Sequence, residues 1–188
     1  MKKIEYFKEI QDLLSNTSVK DKSGKSLRLG DGFSRAIKLI RGLKAKKNKI
    51  MFIGNGGSAS IASHMAVDFL KNCGIPAITF NDASLITCIS NDLGYENVFK
   101  KPVEMLANKG DILVSISSSG RSKNILQATK AAIKKGCFVI TFSGFDASNP
   151  LRRLGDVNFY IDSHSYGYAE IAHLSICHCL LDMIMGKA

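Results

Sequence analysis

A glycine-rich turn between an apolar run and a helical pattern is the clearest chemical feature of the sequence. The run at residues 49–53 leads into Gly-Asn-Gly-Gly-Ser at residues 54–58. Glycines let the backbone approach a ligand closely, and a helix that follows presents unpaired N–H groups and the positive end of its dipole. The spacing is neither G-x-G-x-x-G nor G-x-x-x-x-G-K-[ST], which favours a small phosphate ester over a nucleotide. The predicted phosphate-binding residues are Asn55, Gly56, Gly57 and Ser58.

A second turn of the same kind is rich in hydroxyl groups. The apolar run at residues 111–117 is followed by Ser-Ser-Gly-Arg-Ser at residues 118–122, and a helical pattern begins near Lys123. Serine hydroxyls can donate to phosphate oxygens, although serine also simply caps helices. Two such turns favour binding, because ligands of open α/β sheets lie outside the carboxyl ends of the strands. The predicted ligands here are Ser117, Ser118, Ser119 and Ser122.

Four acid–base side chains have spacings that allow them to converge. His64 and Asp68 stand four residues apart and share one face of the helix that follows the glycine turn. Glu170 and His178 stand eight residues apart, about two turns, on the last helical segment. Such groups can move protons beside a bound sugar, and imidazole nitrogens with carboxylate oxygens also suit Zn²⁺. The alternative for each histidine is a structural role, in the core or on a polar helix face.

Alternating patterns predict the elements that position these groups. Five β-type runs, each followed by a helical pattern, favour a five-stranded parallel sheet in a three-layer α/β/α architecture. The predicted strands occupy residues 49–53, 77–80, 111–117, 137–142 and 157–161. The predicted helices between and after them occupy residues 58–72, 84–91, 96–107, 123–135 and 168–185. Two amphipathic helices at residues 3–14 and 32–43, joined by a polar link, precede the sheet.

The composition fits one domain. With 188 residues, 45% of them hydrophobic, the chain can bury a sizeable core, and we expect an N-terminal helical region at residues 1–48 and an α/β core at residues 49–188. No uninterrupted apolar run reaches the roughly 18 residues of a membrane span, and charges punctuate the N-terminus. The five cysteines form no C-x-x-C pair and indicate reduced thiols. We expect a cytoplasmic location and no membrane partner.

The net charge of +10 is concentrated near the N-terminus. Residues 1–50 hold 14 Lys or Arg against 5 Asp or Glu. A surface for nucleic acid or another anionic partner is one interpretation, but neither aromatic interleaving nor a nucleic-acid motif accompanies the charge. We therefore expect a solvated basic face and no nucleic-acid partner.

The glycine turn, His64 and the later segment SISSSGRS together resemble the sugar isomerase (SIS) domain, and within it the phosphoheptose isomerase group. The resemblance extends through AITFNDASLITCISNDLGYENVF at residues 77–99 to the closing helix with His173 and His178. It implies an aldose–ketose isomerase that converts sedoheptulose 7-phosphate to D-glycero-D-manno-heptose 7-phosphate through an enediol(ate), for surface polysaccharide. It also implies a homo-oligomer, a dimer or a tetramer, with active sites at subunit interfaces.

The resemblance also implies roles for the acid–base groups. The position of Asp68 is a glutamate in phosphoheptose isomerases and moves a proton between two sugar carbons, and the position of His178 is its partner acid. In some members the positions of His64, Asp68, Glu170 and His178 bind zinc, so Zn²⁺ is an expected cofactor. Asp92 matches an aspartate near the sugar, although a turn or helix cap is an equally good role for it.

Three departures from the family pattern bear on activity. Asp68 is one methylene shorter than the usual glutamate, and Glu170 stands where glutamine is usual. The loop at residues 70–75 is short and lacks the family's arginine. Two alternatives therefore stay open: a non-catalytic SIS protein that binds a phosphosugar or a protein partner, and an isomerase of another sugar phosphate.

Overall fold

A computed structural model of the chain describes residues 3–187 and places one seven-stranded sheet between two layers of helices. The strands are β1 (Ser18–Asp21), β2 (Ser26–Leu27), β3 (Ile50–Ile53), β4 (Ala77–Thr79), β5 (Ile112–Ser117), β6 (Phe138–Ser143) and β7 (Val157–Tyr160). The helices are α1 (Lys3–Ser15), α2 (Leu29–Lys46), α3 (Gly57–Cys73), α4 (Ala83–Leu93), α5 (Lys100–Leu106), α6 (Lys123–Lys134) and α7 (Tyr166–Met185). Short 3₁₀ turns occupy Tyr95–Asn97 and Pro150–Arg153.

The sheet has the order β2-β1-β7-β6-β5-β3-β4. The strands β7, β6, β5, β3 and β4 are parallel to one another, which confirms the predicted five-stranded parallel sheet and the α/β class. β1 and β2 form an antiparallel hairpin that extends this sheet at its β7 edge, where Val19 pairs with Phe159.

The hairpin lies in the polar link predicted between the first two helices, where the sequence analysis placed no strand. Only Val19 within it is fully buried, so the segment carries no repeated apolar alternation from which a strand could be recognised. Charged residues such as Lys20 suit an edge of a sheet, where they discourage pairing with other chains.

The helix predicted at residues 96–107 is divided into the 3₁₀ turn Tyr95–Asn97 and α5. Pro102 explains the division. Proline lacks an N–H and clashes with the preceding turn of a helix, so it is tolerated only within the first turn. α5 accordingly begins at Lys100, two residues before the proline.

The core has two layers, one on each face of the sheet. Along β3, Phe52 packs with α2, α3 and α7, whereas Met51 packs with α5 and α6 on the opposite face. This alternation follows from the two-residue repeat of a strand, and a parallel sheet needs cover on both faces.

The last helix, α7, is apolar enough that, by length and composition alone, it is the one helix within residues 3–187 that could cross a membrane. Several of its apolar side chains, among them Ala172, Ile176 and Leu180, are buried in the same cluster as α2 and α3. Core packing thus accounts for much of its apolar character.

A buried carboxylate joins the amino ends of β3 and β5. Asp111 is 1% exposed and accepts hydrogen bonds from the backbone N–H groups of Lys49 (3.0 Å) and Asn108 (2.8 Å), the Asn48 amide (2.9 Å) and the Lys49 ammonium. Burial by itself raises the pKa of Asp111, but these hydrogen bonds, led by Lys49, outweigh it and hold the pKa below its usual 3.8. The carboxylate is therefore ionised in the folded protein near neutral pH.

We expect Asp111→Asn to lower the free energy of unfolding by about 2–3 kcal/mol at neutral pH, because it leaves Lys49 without its buried partner. Since the folded pKa is below the unfolded one, the contribution of the carboxylate is complete above the unfolded pKa and is lost as pH falls through the folded pKa. Urea unfolding at pH 7 and near pH 3 measures this. Asp31→Asn, in an exposed pair with Arg28, is the control and should change little. An equal effect of both substitutions would contradict the prediction.

Candidate active site

The glycine turn connects the end of β3 to the start of α3. Gly56 has a φ of +55°, in the region that favours glycine, and a Cβ atom on Gly54 would overlap the backbone of Ser58. The first N–H groups of α3 therefore lie at the carboxyl edge of the sheet, where they and the helix dipole favour an anion.

The two turns line one cavity of about 250 Å³. It contains all eight residues that the sequence predicts as phosphate ligands, together with Ile116, Tyr166 and Glu170. The eight are Asn55, Gly56, Gly57, Ser58, Ser117, Ser118, Ser119 and Ser122. The parallel register of β3 and β5, which pairs Ile53 with Ser115, brings the turns together.

The hydroxyl groups of the serine turn are only partly satisfied by the protein. Ser118 Oγ is buried and has no hydrogen-bond partner within residues 3–187, and the hydroxyls of Ser117 and Ser122 are 3.5 Å apart. An unpaired buried hydroxyl is costly, so a partner supplied by a ligand would lower the free energy of the site.

Two polar residues of this region were missed by the sequence analysis. Asn124, in the first turn of α6, exchanges two amide hydrogen bonds with Asn55 (2.8 and 3.0 Å). The hydroxyl of Tyr95 donates to the Asn55 side-chain oxygen (3.1 Å). The position of Asn124 just after the serine turn was an available signal. Tyr95, 40 residues from Asn55, offered none.

The serine turn rests on the segment 144–153. Gly120 has a φ of +60°, and the space that a Cβ would need is filled by the side chain of the fully buried Asn149. Arg121 pairs with Asp146 at 2.6 Å. Hydrogen bonds from the backbone N–H and hydroxyl of Ser148, and then from Arg121, lower the pKa of Asp146 to about 2. Asn149 and Asp146 thus fix the position of the serine turn.

Three of the four acid–base side chains form one group between α3 and α7. Asp68 Oδ2 lies 3.4 Å from His64 Nε2 and 3.9 Å from His178 Nδ1. One ligand atom from each residue lies within 4.8 Å of the others, which fits a shared metal ion. Two imidazole nitrogens and a carboxylate oxygen are donors that zinc accepts, with a position left open for a further ligand.

Glu170 lies outside this three-residue group. Its carboxylate stands over Gly57, so closely that a Cβ on that glycine would overlap it. It lines both the cavity between the two turns, which is the candidate phosphate cavity, and an adjoining cavity of about 330 Å³ that reaches His64. Glu170 thus connects the phosphate cavity to the acid–base group.

Two further residues from the sequence analysis lie elsewhere. Asp92 is exposed near the end of α4, where it accepts a hydrogen bond from the Asn91 amide (2.8 Å), and it lines neither cavity. His173 is fully buried, packs edge-on against Phe142 and contacts the carbonyl of Ser143 through Nε2 (3.2 Å). Burial lowers the pKa of His173 to about 4, so it is a neutral core residue at pH 7.

We expect Gly120→Ala to destabilise the fold by about 2–3 kcal/mol, because alanine is strained at this φ and its methyl group would displace Asn149. Gly42→Ala, in α2 with nothing near the added methyl group, is the matched control and should stabilise by about 0.5–1 kcal/mol. Chemical unfolding of both variants measures the difference. Similar stability of the two variants would show that Gly120 is not required.

Comparison with known proteins agrees with this architecture. The SIS domain family matches residues 5–144. A phosphoheptose isomerase of Cytophaga hutchinsonii is 36% identical over 96% of this chain and 94% of its own, and one of Coxiella burnetii is 37% identical over 90% and 89%.

Solved structures give the same result. A phosphoheptose isomerase of Neisseria gonorrhoeae superposes with a TM-score of 0.84 at 29% identity, over 97% of this chain and 94% of its own. The Vibrio vulnificus NanR protein, at 17% identity and a TM-score of 0.70 over 96% of this chain and 59% of its own, shares the fold alone. The chain belongs to the SIS domain family and, within it, to the phosphoheptose isomerases.

Proposed function

We propose that this protein is an enzyme that converts sedoheptulose 7-phosphate to D-glycero-D-manno-heptose 7-phosphate through an enediol or enediolate. The observation that carries the proposal is the junction at Glu170, where a cavity lined by phosphate-type ligands adjoins one that reaches the acid–base group. An elongated phosphosugar fits such a pair of cavities better than a compact ligand does. Membership of the phosphoheptose isomerases supports the choice of substrate, and synthesis of heptose for surface polysaccharide is the proposed role.

The phosphate group of the substrate would be held by the two turns. The first N–H groups of α3 and the side chain of Asn55 approach it from one side, and the serine hydroxyls approach it from the other. Ser118 would gain the hydrogen bond that its buried hydroxyl lacks. Anchoring at the phosphate end fixes the rest of the sugar relative to the acid–base group, which lowers the entropic part of the barrier.

The proton transfers are assigned to Asp68 and His178. Asp68 would accept the proton from C1 of the ketose and return it to C2, while His178 would move the hydroxyl proton between the oxygens. Asp68 Oδ2 and His178 Nδ1 lie 3.9 Å apart, so both groups can reach the same end of a bound sugar. The carboxylate stays near His64 as well, which limits its rotation toward other positions.

We also propose Zn²⁺ as a cofactor, with His64, Asp68, Glu170 and His178 as its ligands. The group formed by His64, Asp68 and His178 offers nitrogen and oxygen donors that suit the metal. Glu170 is the proposed fourth donor. A bound ion would polarise the sugar carbonyl and stabilise the negative charge of the enediolate. The protein's own part is to hold the two imidazoles close to the Asp68 carboxylate.

A homo-oligomer, a dimer or a tetramer, is the proposed assembly. Val67 and Leu70 on α3 are 58% and 55% exposed, and Ile171 on α7 is 39% exposed. These apolar side chains lie on the two helices that also carry His64 and His178. Burial of such a face against a second subunit would enclose the acid–base group, which in this chain is partly exposed.

The proposed location is the cytoplasm. All five cysteines are free thiols, and Cys73, Cys137 and Cys177 are buried. Burial raises the pKa of Cys137 to about 11 and that of Cys177 to about 12, so both are unreactive thiols at neutral pH.

A second candidate function is a phosphosugar-binding SIS protein without catalysis. The shortened carboxylate favours it, because Asp68 lines neither of the two adjoining cavities. Asp92 also lies apart from both cavities within one chain. Catalysis and simple binding differ in whether a carbon-bound proton exchanges, which gives a direct test.

We expect the purified, metal-analysed protein to convert sedoheptulose 7-phosphate in deuterated water into an aldose that carries deuterium at C2. NMR of the sugar measures both conversion and exchange. His178→Ala should lower turnover by about 10²–10³-fold, because it removes the acid of the proton transfer. His164→Ala, which removes a histidine in the loop before α7, should leave turnover unchanged. Absence of product and of exchange, with and without added zinc, would favour the binding protein.

Asp68→Asn should lower kcat by about 10²-fold or more, because an amide cannot accept the carbon-bound proton. Asp68→Glu keeps a carboxylate, so its kcat should fall much less. Steady-state kinetics, with zinc content measured on the same samples, distinguishes a role of Asp68 as base from a role as metal ligand. Loss of the metal would lower kcat and zinc content together. A fully active Asp68→Asn enzyme would remove Asp68 from the mechanism.

A further inference from the structure

A separate basic cavity of about 270 Å³ lies between the β1–β2 hairpin and the 3₁₀ turn Pro150–Arg153. Four of its seven lining residues are cations, and none of the seven lines the phosphate cavity of the proposed active site. The four are Lys20, Lys22, Arg152 and Arg153. Two of them come from the basic N-terminal third of the chain, to which the proposed function gives no role.

Arg152 is a buried cation without a carboxylate partner. It is only 9% exposed, and within the described residues it forms no ion pair. Its Nη1 donates to the Ala147 carbonyl (2.9 Å), its Nη2 donates to Ser18 Oγ (2.7 Å), and its guanidinium lies 4.0 Å from the centre of the Tyr160 ring. Its Nε has no partner among residues 3–187. A buried charge is costly without a counter-charge, and burial lowers the pKa of Arg152 accordingly.

The carboxylates around this cavity are largely engaged with other groups. Asp146 pairs with Arg121, and Asp21 accepts hydrogen bonds from its own hairpin turn and lies 3.4 Å from Arg35. Asp162 accepts a hydrogen bond from the Tyr160 hydroxyl (3.0 Å) and acts on Arg152 only at longer range. Within residues 3–187, Asp156 is the one carboxylate that pairs with a lining cation, at 3.7 Å from Lys22.

The remaining cations of the cavity are therefore available to a ligand. Lys20 and Arg153 form no ion pair within the part of the chain that the structure describes. With Lys22 only weakly neutralised by Asp156, the cavity keeps a net positive charge. A negatively charged ligand would therefore balance the charge of this cavity.

We propose that this cavity binds a small phosphate-bearing anion, with Arg152 as the buried anchor and Lys20, Lys22 and Arg153 around it. Guanidinium groups match phosphate oxygens in geometry, and the lysines add point charges. The volume holds a phosphomonoester or a diphosphate with a small organic part, and it is below the usual range for larger ligands. This site is independent of the proposed isomerase function, because the two cavities share no lining residue.

The variants for a test replace the half-buried Lys20 and the exposed Arg153 and leave the buried Arg152 in place. The backbone N–H of Arg152 donates to the Asn149 side chain, which also fills the space beside Gly120. Replacement of Arg152 would therefore risk a disturbance of the serine turn. Lys20→Glu with Arg153→Glu reverses two charges without touching a buried group. Lys101→Glu with Lys130→Glu makes the same change in net charge on exposed parts of α5 and α6 and is the matched control.

Isothermal titration of the full-length protein with inorganic diphosphate, and separately with sedoheptulose 7-phosphate, measures binding. Because the serine turn is a proposed phosphate site, all proteins carry Ser119→Ala and Ser122→Ala. We expect diphosphate, the sugar phosphate or both to bind the parent. Lys20→Glu with Arg153→Glu should weaken that binding about tenfold or more, and the control pair should leave it unchanged. Selective loss of diphosphate binding would indicate a free phosphate-type ligand, and selective loss of sugar phosphate binding would indicate a sugar phosphate.

Three results would overturn the proposal. They are equal affinity of the two charge-reversal pairs, no binding of either probe by the parent up to about 1 mM, and binding of a short single-stranded RNA in place of both probes. If the double variant fails to fold, as judged by thermal unfolding, Arg153→Gln alone is titrated and has to show the same selective loss. Isomerase activity measured on proteins with an intact serine turn separates failure of this site from failure of the proposed function.

Discussion

The candidate site depends on the parallel pairing of β3 with β5. Because parallel strands end at the same edge of a sheet, the register that pairs Ile53 with Ser115 places the glycine turn and the serine turn on either side of one cavity. At the opposite end of the same strands, Asp111 joins the segments that enter β3 and β5. The pairing is therefore fixed at one end by a buried carboxylate, and at the other end it forms the cavity that we propose for the phosphate.

The second requirement is the close packing of α7 on α3. Glycine at position 57 leaves room for the Glu170 carboxylate, and further along the two helices Asp68 meets His178. The helices that cover one face of the sheet thus also carry the acid–base groups, and the phosphate cavity continues into theirs through Glu170. The same helices thus have two faces: the buried faces stabilise the fold, and the exposed apolar residues beside the histidines form the surface that we propose for a second subunit.

Charge is distributed differently around the two proposed anion-binding regions. The candidate active-site cavity is lined by one carboxylate, Glu170, and by hydroxyl groups beside helix N-termini, which would hold an anion without full positive charges. The basic cavity is lined by full positive charges, including a buried arginine that has no carboxylate partner within residues 3–187. Segment 144–153 lies between them, since Asp146 and Asn149 support the serine turn while Ala147 and Arg152 line the basic cavity.

The sequence by itself determined the α/β class, the five parallel strands and both phosphate-type turns, because apolar periodicity and glycine or serine clusters act over a few neighbouring residues. It also predicted that His64, Asp68 and His178 come together, as their side chains do in the structure, since i and i+4 spacing on one helix is local information and the family pattern supplied the rest. Only the tertiary structure decided that β1 and β2 join the sheet, that His173 is a core residue, and that Glu170 lies over Gly57. It alone placed Lys20 beside Arg152, residues more than a hundred positions apart. Such contacts depend on how distant segments pack, and no local pattern of residues encodes that packing.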